Sequence, residues 1–86
     1  MEVNIVSNVL DITAIYEQEE QIKSLPVTIK LEYFHSSWCE DEILDNVYAK
    51  VFDTMNASIN GSREFIGLDL SDNEIVERIV DFFTDN

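Results

Sequence analysis

Residues 27–48 read VTIKLEYFHSSWCEDEILDNVY, and the hydrophobic period changes inside this stretch. From 27 to 34 apolar and polar residues alternate. Val27, Ile29, Leu31 and Tyr33 fall on one face of an extended chain, and Thr28, Lys30, Glu32 and Phe34 on the other. A period of two marks a half-buried β-strand. Beyond the single tryptophan the apolar residues return every three or four positions, as Ile43, Leu44, Val47, Val51, Phe52 and Met55, with Tyr48 at the margin. That spacing predicts a helix over residues 38–57.

Upstream, LDITAIYE places Leu10, Ile12, Ala14 and Tyr16 at the same period of two, and the polar segment EQEEQIKSLP follows, with Pro26 just before the second strand. The two strands read as antiparallel neighbours joined by a long charged connection. Residues 1–9 fit either an extension of the first strand or a separate short element. Downstream of the helix, NASINGS is rich in turn formers, and Asn60-Gly61 suits a backbone at positive φ. EFIGLDL then predicts a short strand with Ile66, Leu68 and Leu70 on one face. The last element carries the clearest signals. Ser71 and Glu74 form a capping box, Leu70 and Ile75 occupy the positions of a hydrophobic staple, and the apolar stripe is Ile75, Val76, Ile79, Phe82 and Phe83. The order is strand, strand, helix, strand, helix. The fold class is α+β, a small antiparallel sheet of two to three strands packed on one face by two helices.

Eighty-six residues make room for one compact acidic domain over 1–86, with an expected radius of gyration of about 12 Å. A chain of this size buries a modest core. Its 45% hydrophobic and 10% aromatic content is that of a folding domain and not of a disordered acidic tail. Asp and Glu number 18 against five Lys and Arg, a formal net charge of −13. Net charge of about 2 to 8 in magnitude already suffices for solubility, and the surplus repels itself. A cationic partner is the simplest reason for it. The same sign disfavours direct contact with nucleic acid or an anionic membrane. One cysteine excludes an internal disulfide framework and, with no apolar run of membrane-spanning length and no basic N-terminal flank, leads to the expectation of a cytoplasmic protein, in a host cell if phage-encoded. In such a compartment the sequons at Asn56 and Asn60 are chance matches.

The segment HSSWCEDEILDN concentrates the only histidine, tryptophan and cysteine beside four carboxylates. Its helical reading is a capping box from Ser37 to Glu40, with Glu40, Asp41 and Glu42 in the first turn, where the helix dipole favours acids. A Cys39 nucleophile assisted by His35 lacks any accompanying third residue or oxyanion donor. A metal site lacks a second histidine and a CxxC pair, and LDLSDNE lacks the glycine and length of a calcium loop. No phosphate-binding glycine loop is present. The expectation is a protein without catalytic residues, metal or cofactor.

The acids themselves carry the remaining signal. Glu74, Glu77, Asp81 and Asp85 are spaced by three, four and four residues, forming one stripe opposite the apolar one. Four residues of helix rise about 6 Å, comparable to the several-ångström spacing of phosphates along a strand. Asp41 and Asp45 repeat this spacing on the first helix, with Glu40 ahead of them and Asp53 two turns further on. Glu17, Glu19 and Glu20 make a third patch, and Trp38 beside the acids is the favoured aromatic contact. The expected partner is a basic nucleic-acid-binding protein or nuclease complex, bound by Glu74, Glu77, Asp81 and Asp85, then Glu40, Asp41 and Asp45, with Trp38 adding specificity. Phage-encoded DNA mimics, among them anti-restriction and anti-CRISPR proteins, are similar in size and acidity, a likeness of class that no motif carries. The alternatives are an immunity or antitoxin protein that neutralises a basic nuclease toxin, and a small adaptor or assembly subunit whose acidity serves solubility. Either a monomer or a homodimer fits the sequence.

Overall fold

The computed structural model describes residues 8–84. Strands β1 (Val9–Gln18) and β2 (Gln21–Lys30) pair antiparallel, helix α1 (Glu40–Ser58) follows, then strand β3 (Glu64–Leu68) and helix α2 (Asp72–Thr84). The sheet order is β2-β1-β3, all antiparallel, which is the α+β class and element order the sequence predicts. Most of residues 1–9 lies outside the described part; of these, Val9 opens β1.

The core forms where the predicted periods meet. Leu10, Ile12, Ala14 and Tyr16 of β1 and Val27 and Ile29 of β2 are buried against Ile43, Val47, Val51 and Met55 of α1 and Ile75, Val76 and Ile79 of α2. The four α1 residues recur every fourth position, so each stacks on the one a turn below. The molecule is flat, 51 × 25 × 16 Å, with a radius of gyration of 14.3 Å in place of the expected value of about 12. Two long hairpin strands and a 19-residue helix stretch a small core lengthwise.

Five local expectations are corrected. The long charged connection at 17–26 is instead a hairpin with a two-residue turn, Glu19-Glu20, both at positive φ (53° and 65°). Type I′ turns require this of both central residues because that twist matches the flanking strands. Pro26 sits inside β2 and is tolerated for two reasons: β2 is an edge strand, and the register opposes Pro26 to Thr13. Counting alternately from the bonded Gln18–Gln21 pair at the turn, Thr13–Pro26 is a non-hydrogen-bonded pair that needs no proline N–H.

Strand β2 stops at Lys30, and residues Leu31–Tyr33 form a 3₁₀ turn, with the Phe34 amide donating to the Leu31 carbonyl at 3.0 Å. The turn rotates the following side chains by one position. Phe34 is therefore 5% exposed and in the core, whereas Tyr33 is 63% exposed. In β3 the register shifts between Ile15 and Tyr16, which pair with Gly67 and Phe65, so Ile66 is the extra residue of a β-bulge. It is 53% exposed instead of sharing a face with Leu68, and Phe65 packs on the core in its place.

The capping box at Ser37 does not form. The N-cap of α1 is Cys39, whose carbonyl accepts from the Ile43 amide and whose thiol donates to Glu42 Oε1 at 3.3 Å. Ser37 instead lies in a turn closed by the Trp38 amide on the His35 carbonyl. At α2 the predicted cap is present: the Glu74 amide donates to Ser71 Oγ at 3.2 Å. Leu70 is half-buried on the core.

Candidate interaction surface

The acids fall into two groups. Asp11, Glu42, Asp69 and Asp72 have local partners. Thr28 Oγ1 donates to Asp11 across the β1–β2 pair at 2.8 Å, and Asp69 ties the end of β3 to Thr13 by backbone and side chain. The Tyr48 hydroxyl donates to Asp72 Oδ1 at 2.6 Å, joining α1 to the first turn of α2. That bond, desolvation and the neighbouring negative charge together push the Tyr48 hydroxyl up to about 12. Glu40, Asp41, Asp45, Glu74, Glu77 and Asp81 are exposed and have no side-chain partner among the described residues. Asp85 lies outside the described residues.

The helical geometry sorts the predicted rows. On α2, Glu74, Glu77 and Asp81 lie within about 60° of one another and face away from Ile75, Val76 and Ile79. On α1, Asp41 and Asp45 share a face, but Asp53 is rotated about 80° from Asp45 at 100° per residue. The residue that continues their row is Phe52, 46% exposed. Glu40 sits to one side, in the first turn, where the dipole holds it.

One cation shares the α2 face: Arg78, exposed, lies four residues after Glu74 and three before Asp81. The Arg63 guanidinium donates to the Ile59 and Gly61 carbonyls and to Asn56 Oδ1. Lys50 lies over the Tyr33 ring at 5.9 Å, and Lys23 donates to Gln18 Oε1. Three of the five cations thus have neutral acceptors.

Trp38 is half-buried, with its ring 5.4 Å from Phe34 and 5.1 Å from His35, so packing occupies much of the indole. His35 accordingly faces Trp38 while the Cys39 thiol faces Glu42, and the two are not a nucleophile–base pair. Among the described residues no group of three or more His, Cys, Asp or Glu is placed to hold a metal ion, and no helix is long and apolar enough to cross a membrane.

The hairpin tip gains a member that the linear sequence hides. Glu17 and Glu64 are register partners across β1 and β3, and with Glu19, Glu20, Ser62 and Arg63 they line one open recess. A second recess adjoins it, lined by Phe52, Met55, Asn56, Gly61, Ser62, Arg63 and Phe65. There the rings of Phe52 and Phe65 meet edge to face at 5.2 Å, and Tyr48 meets Phe65 at 6.1 Å. No known protein family, curated protein or solved structure matches this chain.

Proposed function

We propose that this chain is a small acidic inhibitor that occupies the basic nucleic-acid-binding surface of another protein, in the manner of the DNA mimics phages use against restriction and CRISPR systems. The observation that carries the reading is the pair of acidic rows, Asp41 and Asp45 on α1 and Glu74, Glu77 and Asp81 on α2, with Arg78 the one cation on α2, in a domain of net charge −13. Carboxylates about 6 Å apart along a rigid helix meet Lys and Arg side chains that otherwise hold phosphates. Association of this kind is steered by the field, fast, and weakened by salt. Glu40 adds charge at the start of α1.

The test is capture on immobilised protein from nuclease-treated bacterial lysate, eluted along a salt gradient and identified by mass spectrometry. A basic nucleic-acid enzyme released by moderate salt and by competing DNA is the expected result. Partners indifferent to both salt and DNA would overturn mimicry and favour an adaptor subunit. A single cognate toxin nuclease would favour an immunity protein.

A further inference from the structure

The two adjoining recesses at the corner formed by residues 59–65 join an aromatic contact to a group of four carboxylates. One is aromatic, with Phe52 46% exposed and edge to face with Phe65, and the exposed Ile66 follows Phe65 in β3. The other holds Glu17, Glu19, Glu20 and Glu64. They share Ser62 and Arg63 as a common wall; the Arg63 guanidinium is held by the Ile59 and Gly61 carbonyls and by Asn56 Oδ1 of α1, and its single positive charge is outnumbered by the four glutamates. Strand β3 runs beside them with β1 on one side and no strand on the other among the described residues. The other sheet edge, β2, carries Pro26, Lys23 and Lys30, residues that discourage further strand pairing; β3 has neither Pro nor Lys.

From this we infer that the corner between β3 and α1 is a docking site for an extended, basic segment of a partner protein, with one aliphatic side chain seated against the Phe52 and Phe65 rings and flanking Lys or Arg side chains on Glu17, Glu19, Glu20 and Glu64. An apolar anchor inside a charged rim is the arrangement that concentrates binding energy at protein interfaces, and an open strand edge supplies main-chain hydrogen bonds to an extended segment. The charge selects the occupant. A second copy of this chain brings −13 to the same corner and is repelled, while a basic segment is attracted. The inference shares with the proposed function the premise of a cationic partner, but it places specificity at a corner away from Trp38.

The test is titration of the ¹⁵N-labelled full chain, followed by amide shifts, with three blocked synthetic pentapeptides: Lys-Arg-Leu-Arg-Lys, Lys-Arg-Gly-Arg-Lys and Glu-Glu-Leu-Glu-Glu. The leucine-bearing basic peptide is expected to shift the amides of Gly61, Ser62, Glu64 and Phe65 and to bind about tenfold more tightly than its glycine counterpart, the increment for burying one aliphatic side chain. The acidic peptide is expected not to bind. Phe52→Ala removes the tenfold preference, and Glu64→Gln, at an exposed position, weakens both basic peptides alike while keeping their ratio. Equal binding of the two basic peptides, or shifts confined to the helix rows, overturns the inference; so does concentration-dependent self-association that produces the same shifts without peptide. Glu77→Gln with Asp81→Asn separates the two readings. Lysate capture lost with peptide binding intact supports both. Capture retained sinks the helix rows alone, and capture lost with no peptide preference in the parent protein sinks the corner alone.

Discussion

Replacing Tyr48 by Phe tests whether the α1–α2 contact is held by one hydrogen bond. The substitution keeps the ring that packs edge to face on Phe65 and removes only the hydroxyl that donates to Asp72 at 2.6 Å. At neutral pH the expected loss is about 1 kcal/mol, the net worth of a partly exposed bond to a carboxylate. The pH dependence is the sharper signature. The folded-state value is raised to about 12 from an ordinary 10.0, so between these values the folded chain keeps a proton that the unfolded chain has lost. Stability from this group is fully present below pH 10 and falls as pH rises towards 12. The full shift would correspond to about 2.7 kcal/mol, but the bond lies near solvent, where screening reduces it to on the order of 1 kcal/mol. Urea denaturation of both proteins from pH 7 to 11.5 reads the difference, in which all other titrations cancel. The Phe variant is expected to be less stable at pH 7 to 9, with the gap narrowing steadily from pH 10 to 11.5. A difference that stays constant across this range, or is absent at pH 7, refutes the assignment.

Glu19→Asn with Glu20→Gly, which suits positive φ at both turn positions, raises stability by about 1 kcal/mol or more in thermal and urea melts. Ser71→Ala lowers stability by about 1 kcal/mol through loss of the α2 cap, whereas Ser37→Ala changes it by less than about 0.5 kcal/mol, in the same urea assay. Phe34→Ala costs about 3 to 5 kcal/mol and Tyr33→Ala far less, the reverse of what strict alternation through residue 34 implies; circular dichroism melts separate them.

The long-period features were legible because each rests on many residues at once. Ile43, Val47, Val51 and Met55 on α1 and Ile75, Val76 and Ile79 on α2 are read from periodicity alone, and Ser71 from its place ahead of that run. What escaped depends on single backbone events. The Glu19-Glu20 turn was hidden because glutamate is a poor residue for positive φ, so the segment read as a charged loop, although alternation in ITAIYE and IKSLPVTI on either side of QEEQ was the available signal. Pro26 inside β2 was misleading for a related reason: a proline is excluded from ladder positions that donate, and only the register shows that Pro26 does not occupy one. The 3₁₀ turn at Leu31–Tyr33 and the bulge at Ile66 each shift the chain by one residue, which is invisible to a period of two until the partner strand is placed. The acidic rows were legible on α2 and only in part on α1, where counting turns without their 100° steps set Asp53 in a place that belongs to Phe52.

That exchange of Phe52 for Asp53 bears on what the acids are for. Colloidal solubility depends on net charge and is indifferent to whether the charges are aligned. Alignment has a cost: two like charges about 6 Å apart repel by about 0.7 kcal/mol in water before salt. At physiological salt, screening acts over about 8 Å. Opposite surfaces of a body 16 Å thick are therefore largely screened from one another, while neighbours within a row are not. The repulsion is thus local to each row, and a cationic surface laid along a row both gains attraction and removes repulsion that the free domain bears. A row of carboxylates alone would serve many basic surfaces equally. A row that runs Asp41, Asp45 and then into an exposed ring packed edge to face on Phe65 couples the unselective attraction of the acids to a contact that requires a matching apolar group. In such an arrangement the charge sets how fast a partner arrives, and the ring sets which partner remains.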